Sequence, residues 1–567
     1  MLTVALLICL GTVSAYVWPS PQLDALESLR WDQAIDGFAT FVDPCDQFAF
    51  DGNGNSGRSN TADWIRTAYH DMATYNVADG TGGMDASIRF SEEQARPENV
   101  GSGFNNINLK DAKAKCVVLL MNTLIVVAGP FSSRYVSIAD VLALAAILAV
   151  DNCGGPEIPF RGGRVDAGEP NAPGVPQPQQ DLDSHIAAFA RQGFTQTEMI
   201  SLVACGHTFG GVQHAVFPTI VPELNDPNNT ESVAHFDSTF VHFDNNVATE
   251  YIAGTTQNPL VVGLNDTTNS DKRIFGSDGN VTMRSFADSP VLFASTCAEL
   301  MGRMLDTVPS GVQLTDVVTP LPVKPDHISL ILDGDTLQFS GDVRFWNLTE
   351  DPNRTVRLLW DDHLGGENNA TLRFTQAVTG SGGRNTAVWY TFNPANQPFL
   401  SLDATAGITT MRFAVDNKLE DQGGLGFAAP DDVVFAASSC FIPNTNGIPT
   451  GRWDIAVRND IKPTRVYLEY EIRDSVDRPI AQEIDVPPPC LAQQWERLLH
   501  MERRTHGDSG LQFLYRRCGS RWCQGHPKQR TANIQLLCLC LNFSATQLFC
   551  RGFCLGIFWG SHAGRRR

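Results

Sequence analysis

The chain has 567 residues, of which 43% are hydrophobic and 18% charged, a composition typical of folded globular proteins and unlike that of disordered chains or coiled coils. This length favours two or three domains. The 62 acidic residues outnumber the 42 basic ones and give a formal net charge of -20. Such a charge argues against nucleic acid as a partner, because a phosphate backbone attracts basic surfaces.

The N-terminus has the pattern of a secretory signal peptide. A short apolar run covers Leu2 to Leu10, and Val13-Ser14-Ala15 supplies small residues before a cleavage after Ala15, although no basic residue precedes the run. A buried N-terminal strand is the alternative. We expect residues 1–15 to be removed and the protein to be secreted and extracellular, where disulfides form. Acceptors of the Asn-x-Ser/Thr type fit a glycosylated exterior and lie at Asn228, Asn265, Asn280, Asn347, Asn353 and Asn369.

Helical patterns dominate residues 20–310. Between Thr61 and Tyr75 the apolar and functional residues recur at three- and four-residue spacings, as on one helix face. The segment 137–150 begins with Ser-x-x-Asp and is apolar on most sides, which predicts a core helix. Thr195 and Glu198 form a capping box that predicts the start of another helix, and two glycines at 210 and 211 predict its end.

The hydrophobic period changes to two in residues 320–489, after the Pro-punctuated stretch 319–325. Strand-like runs alternate there with turn residues, which predicts an all-β, sandwich-like domain. We therefore expect a mostly α domain followed by a C-terminal β domain. The function of the second domain is open, and binding of polysaccharide is one expectation for it.

Two segments differ from their surroundings. Residues 111–134 insert an apolar run that is too short to span a bilayer, so we expect no membrane span. Residues 490–567 are rich in cysteine, and 491–567 hold 12 Lys and Arg against 3 Asp and Glu. One hypothesis is that one or both segments derive from retained non-coding sequence or a shifted reading frame. Tryptic peptides from Thr531 onward in the mature protein would refute it for the tail.

Arg66 and His70 lie four residues apart, so a helix presents the guanidinium and the imidazole on one face. Cleavage of a peroxide bond uses such a pair. A neutral imidazole accepts the proton from one oxygen and returns it to the other, while a fixed cation stabilises the developing charge. An Arg-x-x-x-His pair alone is a weak signal, and a solvated helix face is the alternative.

His207 lies in Cys205-Gly-His207-Thr208, at the end of the helix that follows Thr195. A helical histidine can be the single axial ligand of a haem iron and leave the other side of the iron open. A lone histidine near a helix end more often has a structural role, so the argument depends on the combination of motifs.

That combination resembles the plant–fungal–bacterial haem peroxidase superfamily, with the greatest similarity to its secreted fungal branch. Arg66 and His70 are followed in order by DGTGGMDAS (79–87), EEQARPEN (92–99) and LVACGHT (202–208). The order of these motifs and the separation of the two histidines match the family, and the resemblance covers roughly residues 25–310. The resemblance implies a haem b enzyme that reduces hydrogen peroxide and oxidises small aromatic reductants in one-electron steps.

The resemblance also implies roles for individual residues. His70 would be the distal acid–base, Arg66 the distal cation, and Asn99, supported by Glu93, would fix the tautomer of His70. His207 would be the proximal iron ligand, and Asp278 would accept its ring proton. A buried carboxylate that pairs with a backbone N–H is an equal alternative for Asp278.

Residues at positions that determine substrate choice in relatives indicate which class of substrate to expect. Phe236 stands where some intracellular relatives carry a radical-forming Trp, and Tyr69 stands where an aromatic residue shields the distal face. The positions of a manganese-binding acidic trio read Ser59, Asp63 and Gln213. We therefore expect a generic phenol-oxidising activity.

Two calcium sites follow from the same resemblance. The distal set comprises Asp71, Gly83, Asp85 and Ser87. The proximal set comprises Thr208, Asp237, Thr239, His242 (through its carbonyl) and Asp244. Cys45 and Cys153 match a disulfide of the family, and Cys205 with Cys297 is a weaker match. The alternative to the enzyme is a secreted haem-binding or glycan-binding protein without turnover, because the insertion at 111–134 precedes the core helix behind the distal side.

Overall fold

The computed structural model describes most of the chain between residues 20 and 486. The described ranges are 20–32, 38, 42, 44–47, 53–107, 131–380, 383–429, 431–442, 450–461 and 463–486, together with the backbone of strands 115–120, 123–128, 534–542 and 556–560. The expected signal peptide and most of the tail lie outside these residues.

Helices form the first part of the chain, as the sequence predicts. In chain order they are α1 (Pro21–Trp31), α2 (Asn60–Met72), α3 (Ser91–Gln94), α4 (Ile138–Asn152), α5 (Leu182–Arg191), α6 (Gln196–Gly206), α7 (Asn246–Ala253), α8 (Ser270–Phe275), α9 (Val281–Asp288) and α10 (Pro290–Leu305). Short 3₁₀ segments cover Ser87–Arg89, Pro97–Asn99, Ser102–Ile107 and Asp266–Thr268.

Side-chain caps start the helices that carry the site. Ser59 accepts a hydrogen bond from the backbone N–H of Ala62 at the start of α2. The capping box of Thr195 and Glu198 opens α6 and is confirmed in both directions. These caps satisfy backbone N–H groups that a helix leaves without internal partners.

Helix α4 is buried along almost its whole length, as the sequence predicts for a core helix. Ser137 caps it by accepting from the N–H of Asp140 at 2.9 Å, and Thr61 of α2 donates to the carbonyl of Ala149 at 3.2 Å. The preceding insertion forms an antiparallel pair of strands, β1 (Lys115–Leu120) and β2 (Thr123–Ala128). The insertion therefore does not remove α4 from its contact with α2.

Two disulfides cross-link the helical part. Cys45 pairs with Cys153, and Cys205 at the end of α6 pairs with Cys297 of α10. Both predicted pairs are confirmed. The second one fixes the end of α6 next to His207.

Strands form the rest of the described chain. A small ribbon within the helical part consists of β3 (Gly211–Gln213) and β4 (Val233–His235). The following strands are β5 (Val323–Asp333), β6 (Thr336–Trp346), β7 (Val356–Asp361), β8 (Glu367–Thr371), β9 (Arg373–Thr379), β10 (Thr386–Thr391), β11 (Leu400–Asp403), β12 (Thr410–Val415), β13 (Lys418–Glu420), β14 (Phe427–Ala428), β15 (Val433–Ala436), β16 (Cys440–Ile442), β17 (Thr450–Arg458), β18 (Arg465–Arg473), β19 (Pro479–Asp485), β20 (Ile534–Asn542) and β21 (Gly556–Gly560).

These strands build several sheets. The largest has the order β16-β17-β15-β5-β6-β10-β9, with β11 on β6 and β20 on β17, and a second has the order β13-β12-β7-β8, with β14 on β12. Side chains of both sheets, such as Phe339 and Phe345 of β6 and Phe413 of β12, join one hydrophobic core. The strand-rich region is thus confirmed, and its sandwich arrangement stays a prediction.

A buried ionic cluster joins the two regions. Glu27 of α1 accepts hydrogen bonds from Lys324 of β5, at 2.8 Å, and from Arg344 of β6. Arg344 also donates to Asp32 at 2.7 Å, and the side chains of Lys324 and Arg344 are 0% exposed. The β region is therefore packed directly on the first helix.

A second set of polar contacts also joins the two regions. Arg134 and Tyr135 both donate to the carboxylate of Glu469 in β18, at 2.5 and 2.8 Å. Arg473 donates to the carbonyl of Ser132 at 2.6 Å. Within the described residues, none of the helices combines the length and apolarity that crossing a membrane would require.

Candidate active site

His70 lies in the last turn of α2, where burial and Asn99 fix its ring. Its Nδ1 is 2.6 Å from Oδ1 of Asn99, and Nδ2 of Asn99 donates to the carbonyl of Glu93 at 2.8 Å. The amide of Asn99 therefore presents its oxygen to the ring, so Nδ1 carries the proton and Nε2 is left as an acceptor. Glu93 supports Asn99 through its backbone and not through its carboxylate.

The electrostatics keep His70 neutral. Burial, followed by the positive charge of Arg66, lowers the pKa of His70 from 6.5 to about 3, although the hydrogen bond to Asn99 acts in the opposite direction. Arg66 itself donates to the carbonyls of Glu98 and Val100 at 3.2 and 3.1 Å, and its guanidinium lies 4.5 Å from the ring centre of Phe104. A neutral acceptor thus stands beside a fixed cation, as the sequence predicts for this pair.

His207 follows the last residue of α6 and is held by a carboxylate. Its Nδ1 lies 2.8 Å from Oδ2 of Asp271 in α8, and the same oxygen accepts a hydrogen bond from Nδ2 of Asn258 at 2.8 Å. Asp271 is buried. Because Nδ1 is engaged, Nε2 of His207 is the nitrogen left to bind a metal.

The assignment of Asp278 as the partner of His207 is wrong. Asp278 accepts from the N–H groups of Val281 and Thr282 at 3.0 and 2.9 Å and so holds the start of α9. Asp271, seven residues earlier, contacts His207 because α8 runs against α6. Sequence analysis missed both Asp271 and Asn258.

Aromatic side chains flank both histidines. Phe236 stacks on the ring of His207 with centroids 3.9 Å apart and planes 12° apart, and its role in cofactor binding stays a prediction. Tyr69 precedes His70, packs against Phe189 at 6.0 Å, and its hydroxyl is 3.5 Å from Oε1 of Gln192. Burial raises the pKa of Tyr69, so its phenol stays protonated.

One cavity of about 400 Å³ connects these groups. Arg66, Tyr69 and His70 line it from α2, and His207, Phe236 and Asp271 line it as well. Apolar side chains such as Phe189, Leu202 and Met301 contribute to the wall. Two imidazoles, each with Nδ1 engaged, therefore share one cavity of the size of a cofactor site.

Comparison with known proteins agrees with this geometry. Residues 49–289 match the family model described as "Peroxidase". This range holds both histidines, Arg66, Asn99 and Asp271. Residues 49–289 are a peroxidase domain. It belongs to the plant–fungal–bacterial peroxidase superfamily.

Individual relatives cover different parts of the chain. A "WSC domain-containing protein" of Arthroderma benhamiae is 37% identical over 381 residues, which are 65% of this chain and 49% of that protein. L-ascorbate peroxidase 5, peroxisomal, of Arabidopsis thaliana is 31% identical over 192 residues, which are 34% of this chain and 58% of that protein. Mitochondrial cytochrome c peroxidase of Emericella nidulans is 30% identical over 150 residues, which are 26% of this chain and 37% of that protein.

The chain spans about half the length of the first of these relatives. The match to the Arthroderma protein is longer than the peroxidase domain, so that similarity extends beyond the domain.

The predicted proximal calcium residues of the peroxidase domain come together beside His207. Thr208 donates to the carbonyl of Asp244 at 2.7 Å, and the N–H of Thr239 donates to Oδ1 of Asp237 at 2.9 Å. Within the described part of the chain, Oδ2 of Asp237 is buried with no hydrogen-bond donor. Burial, followed by the charges of Asp244 and Glu250, raises the pKa of Asp237 to about 7. An oxygen-rich, acidic site with an unpaired carboxylate oxygen fits a hard cation.

The predicted distal calcium residues also come together, but their oxygens face hydrogen-bond donors. Asp71 accepts from the N–H groups of Asp85, Ala86 and Ile88 at 2.9, 2.8 and 3.0 Å. The N–H of Gly83 donates to Thr74, and the N–H of Ser87 donates to Asp85. The distal half of the two-calcium prediction therefore has no counterpart to the unpaired oxygen of the proximal set.

Proposed function

We propose that this chain is a haem peroxidase that reduces hydrogen peroxide and oxidises small phenol-like reductants in one-electron steps. The single observation that carries the proposal is the pairing of His70 and His207 on one cavity of about 400 Å³, each with its Nδ1 hydrogen-bonded. The membership of residues 49–289 in the peroxidase family supports it.

The residues present fit a haem group. His207 would bind the iron through Nε2, and Asp271 would give the imidazole partial negative charge by accepting its Nδ1 proton. When bound, the haem supplies the two-electron redox chemistry of peroxide reduction. Phe236 offers no N–H to Asp271, and Asn258 donates to this carboxylate instead.

The distal residues move one proton and stabilise charge. Nε2 of His70 would accept a proton from one oxygen of hydrogen peroxide and donate it to the other oxygen, which would leave as water, while the haem would supply the two electrons. The guanidinium of Arg66 stabilises the negative charge that develops during this transfer. Asn99 keeps the acceptor nitrogen of His70 toward the cavity because it holds the opposite nitrogen as a donor.

The proposal includes a calcium ion at the proximal set and an extracellular location. The unpaired Oδ2 of Asp237 beside Asp244 supports the ion. The apolar N-terminal run and the two disulfides support passage through an oxidising compartment.

The test is the visible spectrum of the purified, haem-reconstituted protein before and after addition of peroxide. His70→Leu should slow the reaction with peroxide by about two to four orders of magnitude and leave haem bound. His327→Leu is the control, because this histidine is exposed on the β region and should leave the rate unchanged. His207→Leu should remove the protein ligand of the iron and change the resting spectrum.

Two outcomes would overturn the proposal. A protein that takes up no haem has no peroxidase site. A protein that binds haem and reacts with peroxide at the same rate with and without His70 would instead fit the haem-binding alternative.

A further inference from the structure

Asn171 lies at the centre of the distal residues that the family resemblance assigns to calcium. It belongs to the Pro- and Gly-rich loop 169–181, which carries no periodic pattern. Its Nδ2 is 2.8 and 3.0 Å from the two carboxylate oxygens of Asp85, 3.0 Å from Oγ of Ser87 and 3.4 Å from Oγ1 of Thr74. One amide nitrogen is thus surrounded by four oxygens.

The chemistry of the donor set distinguishes this arrangement from a calcium site, because an amide nitrogen, and not an oxygen ligand, faces the oxygens of Asp85, Ser87 and Thr74. An ionised carboxylate only accepts hydrogen bonds, so the amide of Asn171 must present its NH₂ group to Asp85.

At Asp71, too, hydrogen-bond donors face the carboxylate oxygens that would bind a cation. Both of its carboxylate oxygens are used, one by the N–H groups of Asp85 and Ala86 and the other by the N–H of Ile88 and the hydroxyl of Ser87. Backbone N–H groups that point at a carboxylate repel a cation at the same place. Asp71 is fully buried, so these donors provide its hydrogen bonds in place of water.

Asn171 is also linked to the catalytic histidine. Its backbone N–H donates to Oε1 of Glu93 at 2.5 Å, the carbonyl of Glu93 accepts from Asn99, and Asn99 holds Nδ1 of His70. Arg96 donates to the carbonyl of Asn171 and lies 3.5 Å from the second oxygen of Glu93. A chain of three hydrogen bonds therefore runs from Asn171 to His70.

We propose that Asn171 takes the place of the distal calcium ion, so that the distal loop is fixed by an amide and the protein binds one calcium ion, at the proximal set. Asn171 is a positioning residue for His70. The count of one ion rests on the proposed function, whereas the role of Asn171 in the distal loop does not.

The experiment compares five full-length proteins: the wild type, Asn171→Asp, Asn171→Ala, Asp85→Asn and Asp237→Asn. Bound calcium per chain is measured by elemental analysis after equilibrium dialysis, and the melting temperature is measured in EDTA and in excess Ca²⁺. The rate of reaction with peroxide is measured in the haem-loaded samples.

Four results are expected. The wild type binds one calcium ion, and Asp237→Asn binds none. Asn171→Asp melts at a lower temperature than the wild type in EDTA, because it adds a carboxylate next to those of Asp85 and Glu93. In excess Ca²⁺ this variant binds a second ion, which restores its melting temperature. Asn171→Ala melts lower by on the order of 5 °C in both media, because calcium cannot replace the lost hydrogen bonds. Both substitutions slow the reaction with peroxide.

The opposite results would overturn the proposal. Two ions in the wild type, one of which is lost on Asp85→Asn, would show that the distal set binds calcium. An Asn171→Ala protein that melts and reacts like the wild type would show that the amide positions nothing. A wild type without calcium would overturn the proximal site of the proposed function, while a calcium-independent loss of stability in Asn171→Ala would still support the amide.

Discussion

Single side chains decide the chemistry at both histidines, and at the residue scale Asp271 is the most informative. Asp271 is buried and shares one oxygen between His207 and Asn258. A carboxylate in this place increases the electron density that the histidine gives to an iron. A neutral amide at 271 would not accept the ring proton with the same strength.

Asp271→Asn should therefore raise the midpoint potential of the ferric–ferrous couple, by on the order of tens of millivolts. The potential is measured by redox titration of the haem-loaded protein. Asp278→Asn is the matched control, because this carboxylate binds only the N–H groups at the start of α9 and the side chain of Thr282. Equal potentials in both variants would contradict the role given to Asp271.

A second residue-scale prediction concerns the pH dependence of the reaction with peroxide. Only the neutral form of His70 accepts a proton, and burial with Arg66 lowers its pKa to about 3. Because the pKa is lowered, His70 becomes protonated only at a more acidic pH than a free imidazole. The rate constant should therefore be constant from about pH 5 to 8 and fall as the pH approaches 3, as measured by stopped-flow pH jumps.

Arg66→Leu provides the comparison for this profile. Removing the cation beside the ring removes one cause of the lowered pKa, so the acid break should move toward neutral pH while the plateau rate falls. A wild-type break near pH 6.5 would show that His70 is not buried as the structure has it.

The same residues show how far the sequence could be interpreted. Arg66, His70 and His207 were predictable because helical spacing and motif order constrain them. Asp271 and Asp278 lie in one short segment, and no periodic pattern tells which of them turns toward α6. Asp278 lies two residues before Asn280, the N-cap of α9, so the usual capping rule did not assign it either. Asn171 lies in a loop without a pattern, so only the structure reveals its contacts.

At the scale of elements, α6 is fixed by a capping box at its start and by a disulfide at its end, next to His207. Thr195 and Glu198 close the first turn, and Cys205 joins the last turn to α10. Arg303 and the donors of Thr195 lower the pKa of Glu198 to about 2, so Glu198 is charged at neutral pH. A negative charge in the first turn also suits the helix dipole.

Thr195→Ala should lower the free energy of unfolding by about 1 kcal/mol, because it removes one half of the capping box. Chemical denaturation followed by circular dichroism measures this change. Thr197→Ala is the control within the same helix, and we expect it to leave the stability nearly unchanged. Haem binding should stay intact in both variants, because Asp271 and the disulfide hold the other end of α6.

At the scale of the whole molecule, a buried ionic cluster joins α1 to the β region. Burial alone would raise the pKa of Glu27, but Lys324 and Arg344 more than reverse this and lower it, so the carboxylate stays charged. Removal of one partner would leave an uncompensated charge in the interior. Such a loss is far more costly than the loss of a surface ion pair.

Arg344→Met should therefore lower the free energy of unfolding by about 3–5 kcal/mol. Arg465→Met is the matched control, because Arg465 pairs with Glu483 and Asp485 on the surface and should cost less than about 1 kcal/mol. Tryptophan fluorescence and haem absorbance should report one joint transition in the wild type. Two separate transitions would show that the regions fold independently.

The cluster of Glu27, Asp32, Lys324 and Arg344 should also keep the two regions associated after a proteolytic cut between them. A cut in the connecting stretch between α10 and β5 would break one covalent link, but both fragments would keep their shared ion pairs. The nicked protein should then run as one species in gel filtration and as two bands after denaturation. In the helical fragment alone, Glu27 and Asp32 would lose these partners and face solvent, so the surface of α1 that the β region covers would become exposed.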